Sequence, residues 1–337
     1  MASNRKRVLH TDTMGEAGLK LFRARDDIEA IPFPNLISAA DYQKLLSSYE
    51  QVNGVALGGT RFGKEEIARA KGLQVCARIG VGYDAVDVPA LSAIKVPLMV
   101  AGTANSPSVA EQAVHFMMAL AKRGVLFHDM VREGRWAADR MKRLPVDLFG
   151  KTLLIVGFGR IGTRTAKRCL ALEMNVQVYD PYVKPEVIRA AGCTPVANLN
   201  DALADCDFLT IHCPKTPESV NLIDAPQLAR MKPTAFLINT ARGGIVNEKA
   251  LHAALTTNKL SGAGLDVFEI EPVPKENALL KLPNVISAPH MAGVTAESVE
   301  RMAEMTARCS TPVMPEGTQT TTRGFASRRR LWTRWMK

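Results

Sequence analysis

The stretch LLIVGFGRIG constrains this chain more than any other. Gly157, Gly159 and Gly162 stand as G-x-G-x-x-G directly after an apolar strand and at the head of a helical segment, Thr163 to Arg168. The first glycine permits a tight turn, the second lets backbone approach a diphosphate, and the third lets helix and strand pack closely. N–H groups at the helix start are then available to an anion. The next strand, VQVYD, ends in Asp180, 18 residues beyond Gly162. A carboxylate there accepts hydrogen bonds from ribose hydroxyls and repels a 2′-phosphate, so the expected cofactor is NAD rather than NADP.

The rest of the chain suits such a turn. Short apolar runs alternate with helix-length amphipathic stretches, the pattern of βαβ units, and the fold class is α/β. In a first domain, residues 1–104, strands are expected near 7–10, 54–57, 74–78 and 98–100, with helices around 15–25, 39–48 and 64–70. One long helix is expected over 108–133, with Ser108 as N-cap and Glu111 as its capping-box partner. Strands near 152–157, 175–179, 208–212, 235–239, 262–267 and 285–287 complete a second doubly wound parallel sheet within 105–292. A helix from Thr295 to about Arg308 returns to the first domain. Past Cys309 the periodicity stops, with Pro312, Pro315, a TQTTT run and a basic end, so 309–337 is expected to be a disordered tail.

Composition narrows the function classes. At 337 residues and 47% hydrophobic content the chain can bury two medium cores. The formal charge is +10, but half of it sits after residue 308, where six Arg/Lys face Glu316 alone. The remainder is too diffuse to indicate nucleic acid and suits small anionic substrates. The six cysteines lack the spacing of a zinc site or redox motif, and a reducing, cytoplasmic setting is expected. No apolar run approaches the roughly 18 residues of a membrane span, and no secretory signal follows Met1.

Three segments carry chemistry. In INTARGG, Arg242 follows a strand, and its planar fork can bind a carboxylate in two places. In GLDVFEIEP, Asp266 ends a strand and Glu271 precedes Pro272. In ISAPHMAG, His290 follows another strand and precedes small residues. All three lie at carboxyl ends of strands, where ligands of such sheets bind. Together they offer an anion clamp, a carboxylate and a titratable imidazole, and a carboxylate beside His290 would favour the protonated ring. Hydride transfer to a keto acid needs such a set, because negative charge develops on the carbonyl oxygen. His212, in IHCP, is the rival histidine, on a strand read as lying beside the dinucleotide; His10 and His252 have no motif around them.

Through GFGRIG, YDP, IHCPKTPES, INTARGG, GLDVFEIEP and SAPHMAG, the sequence resembles the D-isomer-specific 2-hydroxyacid dehydrogenase family over roughly residues 5–308. The resemblance implies a Rossmann cofactor domain inserted in a flavodoxin-like substrate domain, and usually a homodimer. It implies Arg242 as binder of the substrate carboxylate, His290 as acid/base and Glu271 as its partner. It implies that Asp266 orients the nicotinamide amide, that backbone around Val81 and Gly82 helps hold the substrate, and that Arg160, Ile161, Asp180, Cys213 and Pro214 line the cofactor. The implied substrate is a small 2-hydroxy or 2-keto acid.

ARIGVGYDAVD and ANSPSVAE are most similar to the phosphoglycerate dehydrogenase branch. That branch usually carries an arginine where Leu57 stands; in this chain Arg61 or Arg78 is the candidate to replace it, which keeps 3-phosphoglycerate among the expected substrates. A second expectation, from another class, is an NAD-sensing binding protein resembling the corepressors that use this fold.

Overall fold

The computed structural model describes residues 5–136 and 144–310. The described residues divide into two compact units, one comprising 5–105 together with 293–310, the other lying within Ser106–Ala292.

The first unit is built on strands β1 (Lys6–Thr11), β2 (Ile28–Phe33), β3 (Gly54–Leu57), β4 (Val75–Arg78) and β5 (Leu98–Val100), all parallel in the order β2-β1-β3-β4-β5. This is the flavodoxin-like order. Successive strand residues point to opposite faces. Leu9 therefore joins Val55, Leu57, Tyr42 and Phe62 on one side, while Val8 joins Phe22, Ile28, Ala303 and Ala307 on the other. With both faces covered, the strands read as continuous apolar runs.

β2, IEAIPF, is not among the expected strands and contains Pro32. Proline cannot donate to a ladder and argues against a central strand, but β2 lies at the sheet edge, where proline is tolerated. The short β8 of the second sheet (Thr194–Pro195), equally unexpected, is another proline-bearing edge strand.

The final helix, Ala296–Ser310, opens with a reciprocal cap: Thr295 N donates to Ser298 Oγ at 2.8 Å and Ser298 N to Thr295 Oγ1 at 3.1 Å. Its Glu300 accepts the backbone N–H groups of Glu16 and Ala17, at 3.3 and 2.7 Å. The helix runs past Arg308 because Ala307 and Ser310 are buried and Ser310 Oγ donates to Thr306 O at 2.6 Å. Cys309 and Ser310 are thus helical, against the expectation that the tail begins at 309; the remainder of that expectation, 311–337, lies outside the described residues.

The second unit carries β6 (Thr152–Val156), β7 (Asn175–Tyr179), β8, β9 (Phe208–Ile211), β10 (Phe236–Asn239), β11 (Gly262–Leu265) and β12 (Val285–Ser287). Their order, β12-β11-β10-β9-β6-β7-β8, reverses direction at the β6/β9 boundary, as in a Rossmann sheet. Leu154, Val156, Leu209, Ile211 and Leu237 pack on one face, and Leu153, Ile155, Phe208, Phe236 and Ile238 on the other.

The long helix expected over 108–133 is two helices, Ser106–Ala121 and Gly124–Arg132. Arg123 between them has φ +50°, a left-handed conformation that a helix cannot continue through. The first helix starts before Ser108 because Pro107 is pre-set for an early helical position. Ser108 is therefore buried inside the helix rather than capping it, and Glu111 accepts a hydrogen bond from Arg168 at 2.7 Å instead. Among the described residues, no helix is long and apolar enough to cross a membrane.

Candidate active site in the second unit

The glycine turn leaves β6 at the point where strand order reverses. Gly157 has φ +95°, and a Cβ there would stand 2.6 Å from Cys213 N, so the turn packs directly on the chain leaving β9. A Cβ at Gly162 would stand 2.1 Å from Gly157 O, whereas one at Gly159 would meet no protein atom within 4 Å. The outer glycine thus borders open space at the start of helix Gly162–Ala171. The N-cap residue of that helix, Ile161, provides no side-chain hydrogen bond.

Asp180 follows β7 and braces the turn. Its Oδ2 accepts Phe158 N at 2.7 Å and its Oδ1 accepts Tyr182 N at 2.9 Å. Each carboxylate oxygen keeps a further lone pair for a ribose hydroxyl. Open backbone at an uncapped helix start, an acid after the second strand, and Cys213 and Pro214 after β9 fit a dinucleotide with an unphosphorylated ribose.

Arg242 follows β10. Asn239 folds the turn, accepting Ala241 N at 3.0 Å through Oδ1 and donating through Nδ2 to Arg242 O at 3.0 Å; Arg242 Nη1 donates to Ala241 O at 2.8 Å. The next residue must be glycine: a Cβ on Gly243 would lie 1.7 Å from Phe268 O. The Arg242 loop is thereby pressed onto the segment that carries Glu271.

Glu271 and His290, 19 residues apart, meet. Glu271 Oε2 is 2.7 Å from His290 Nδ1, and Glu271 Oε1 accepts Phe268 N at 3.0 Å. An ionised carboxylate can only accept, so Nδ1 carries the hydrogen and Nε2 is left for a ligand. Both side chains are half-exposed.

His290 has φ +57°, an uncommon backbone for a non-glycine residue that persists where its surroundings hold it. Here the hold is Asp266, whose carbonyl accepts His290 N and whose Oδ1 and Oδ2 accept Met291 N and Ala292 N, all at 2.8 Å. Asp266 is 1% exposed. Burial raises its carboxyl above the usual range, while the N–H groups of Ala292 and Met291 pull the other way. From its motif Asp266 is expected only as a cofactor contact; its work as anchor of the His290 loop has no one-dimensional signal.

His212 offers no acid/base chemistry. Its Nε2 pairs with Thr210 Oγ1 at 3.1 Å, its Nδ1 is buried without a partner, and desolvation pushes its pKa down to about 3. Val81 and Gly82 belong to the first unit, in the loop after β4, where Arg78 Nε donates to Gly82 O at 2.9 Å and Arg78 Nη1 to Leu57 O at 3.4 Å. The Leu57 side chain is fully buried in that unit's core.

A doubly wound parallel sheet with this glycine turn, a following acid and a carboxylate–imidazole pair at its carboxyl end defines a dinucleotide-binding protein of the dehydrogenase type. Residues 114–292 match the D-isomer specific 2-hydroxyacid dehydrogenase NAD binding domain. The chain belongs to the D-isomer specific 2-hydroxyacid dehydrogenase family, and its cofactor is NAD.

It is 36% identical to a D-3-phosphoglycerate dehydrogenase of Methanocaldococcus jannaschii, over 87% of this chain and 54% of that protein. It is 41% identical to a glyoxylate reductase of Korarchaeum cryptofilum, over 72% of this chain and 74% of that protein. The TT0316 protein from Thermus thermophilus superposes with a TM-score of 0.82 at 34% identity, covering 90% of this chain and 94% of that one. The chain spans about half the length of the phosphoglycerate dehydrogenases it matches.

Proposed function

We propose that this protein interconverts a D-2-hydroxy acid and its 2-keto acid, with His290 as acid/base, Glu271 as its partner and Arg242 as the binder of the substrate carboxylate. The observation that carries this reading is the 2.7 Å contact between Glu271 Oε2 and His290 Nδ1. It leaves the proton at Nε2 as the one exchanged with the substrate oxygen. Bound NADH supplies the hydride. Arg242 orients the acid by its carboxylate, and His290 delivers a proton to the carbonyl oxygen as negative charge develops there. In the reverse direction the neutral ring takes the hydroxyl proton, and Glu271 stabilises the imidazolium that results.

Gly157, Gly159, Arg160, Ile161 and Gly162 are assigned to the diphosphate, Asp180 to the adenosine ribose, and Cys213 and Pro214 to the cofactor's flank. Asp266 is assigned to the nicotinamide amide in addition to its anchoring role. Val81 and Gly82 are assigned to the substrate carboxylate on the resemblance alone. Unphosphorylated acids are expected to react best, because Leu57 lies in the hydrophobic core where the phosphoglycerate branch usually carries a cation. A homodimer in a reducing cytoplasm completes the reading. Exposed Val125, Val131, Trp136 and Phe149 on the NAD-binding unit support association, and six unpaired cysteines support the compartment.

The test is oxidation of NADH or NADPH by the purified chain against glyoxylate, hydroxypyruvate and phosphohydroxypyruvate, with His290→Ala as control. Turnover with NADH that vanishes in the control is expected. NADH binding without turnover on any acid would replace this reading with that of an NAD-sensing protein.

A further inference from the structure

Glu248 and Glu269 exchange hydrogen bonds across 21 residues of sequence. Glu248 N donates to Glu269 Oε1 at 2.9 Å, and Glu269 N donates in return to Glu248 Oε1. Asn277 Nδ2 holds the other oxygen of Glu248 at 2.9 Å. Glu248 opens helix Glu248–Thr256, which begins shortly after the Arg242 turn. Its N–H is one of those that an uncapped helix leaves without a partner, and a carboxylate at this end also meets the positive end of the helix dipole. Asn247 serves the same terminus by accepting Ala250 N at 3.1 Å.

Glu269 lies between Phe268 and Glu271. Phe268 is gripped from both sides, since its carbonyl occupies the space that Gly243 leaves empty and its N–H donates to Glu271 Oε1. The exchange therefore ties together two segments, one bearing Arg242 and the other bearing Glu271.

We propose that Glu248 and Glu269 are positioning residues, a paired-carboxylate staple that sets Glu271, and through it the Nδ1–H tautomer of His290, relative to Arg242. The inference rests on the dehydrogenase reading above, and neither glutamate touches a reacting atom. Without the Glu269 carboxylate the segment 268–271 keeps its contact with Gly243 and the bond from Glu269 N to Glu248 Oε1 but loses the bond to the first N–H of the helix, so Glu271 shifts about the contact that remains. Glu271 and Asp266 both bear electrostatically on His290. Asp266 is fixed by three backbone bonds of its own and does not depend on the staple.

The test compares Glu269→Ala with Glu269→Gln, whose side-chain carbonyl can still accept Glu248 N–H. Four quantities are measured: kcat and KM for keto-acid reduction, NADH affinity by fluorescence, and the tautomer of His290 from imidazole 15N shifts. For the alanine variant we expect kcat about 10-fold lower, the scale set by a sub-ångström misplacement of a catalytic group. We also expect unchanged NADH affinity and a shift of the neutral ring away from Nδ1–H. The glutamine variant should recover both kcat and tautomer. The proposal is overturned if the alanine variant keeps wild-type kcat and tautomer. It is equally overturned if glutamine is as impaired as alanine, or if kcat falls only in step with NADH affinity and melting temperature. If the wild-type chain reduces no keto acid, the dehydrogenase reading fails, while the tautomer measurement still decides whether the staple positions Glu271 on His290.

Discussion

His212 makes stability depend on pH in a way that can be worked out. Its ring is desolvated beside β9, with Nε2 on Thr210 and Nδ1 unpartnered, and its pKa falls from 6.5 to about 3. The unfolded chain binds a proton near pH 6.5 and the folded chain does not, so between these values stability rises with pH. The contribution is present in full above pH 6.5 and is lost as pH falls toward 3. Between pH 7 and pH 5 the loss is about 2 kcal/mol, from the difference in proton binding by the two states.

His212→Gln removes the titration and keeps a side-chain amide within reach of the Thr210 hydroxyl. Urea unfolding of both proteins at pH 7, 6 and 5 reads the difference. The wild type should lose about 2 kcal/mol more than the variant over that range. In thermal melts this amounts to roughly 4–8 °C for a unit of this size. Parallel pH dependences for the two proteins would refute the reasoning, since they would mean that the ring is protonated as readily in the folded chain as in the unfolded one.

Glu271→Gln removes the carboxylate that accepts His290 Nδ1–H, so kcat for keto-acid reduction should fall about 10-fold with NADH affinity unchanged; an unaltered kcat would dissolve the proposed pair. Arg242→Ala should lower kcat/KM by about 3 kcal/mol, the scale for deleting a group that stabilises developing charge, with NADH affinity preserved in a fluorescence titration. Gly243→Ala drives a Cβ to within 1.7 Å of Phe268 O. Backbone on both sides must move, and the expected result is loss of turnover together with a melting temperature below that of a Gly159→Ala control, whose Cβ enters open space. Asp180→Ala should raise KM for NADH and narrow the preference for NADH over NADPH, with both constants read from initial rates at a fixed keto acid.

The glycine turn and the acid after the second strand of its sheet were legible in the chain because the determinants of the turn are contiguous. A glycine turn between an apolar strand and a helix is a local object, and Asp180 follows at the distance that one helix and one strand impose. Arg242, Glu271 and His290 could be singled out as candidates because each lies on a segment that leaves an apolar strand, and the carboxyl ends of parallel strands share one edge. The two proline-bearing edge strands and the helix break at Arg123 could not. A proline or a left-handed residue is permitted or forbidden by what stands beside it, and an edge position is a property of the sheet.

The same distinction separates residue identity from residue work. The 2.7 Å bond from Glu271 to His290, the three backbone bonds by which Asp266 holds the His290 loop, and the Phe268 carbonyl seated against Gly243 each join groups about 20 residues apart or more. Motif spacing names these residues but says nothing of which oxygen faces which nitrogen. His212 is the sharpest case: as an imidazole beside the cofactor strand it was a rival for acid/base duty, and only burial makes it neutral. Local periodicity determines which segments become strands and helices, because those preferences act over a few residues. Desolvation and hydrogen-bond geometry arise only when β10, β11 and β12 lie side by side, and they decide which of the polar groups at the strand ends can exchange a proton.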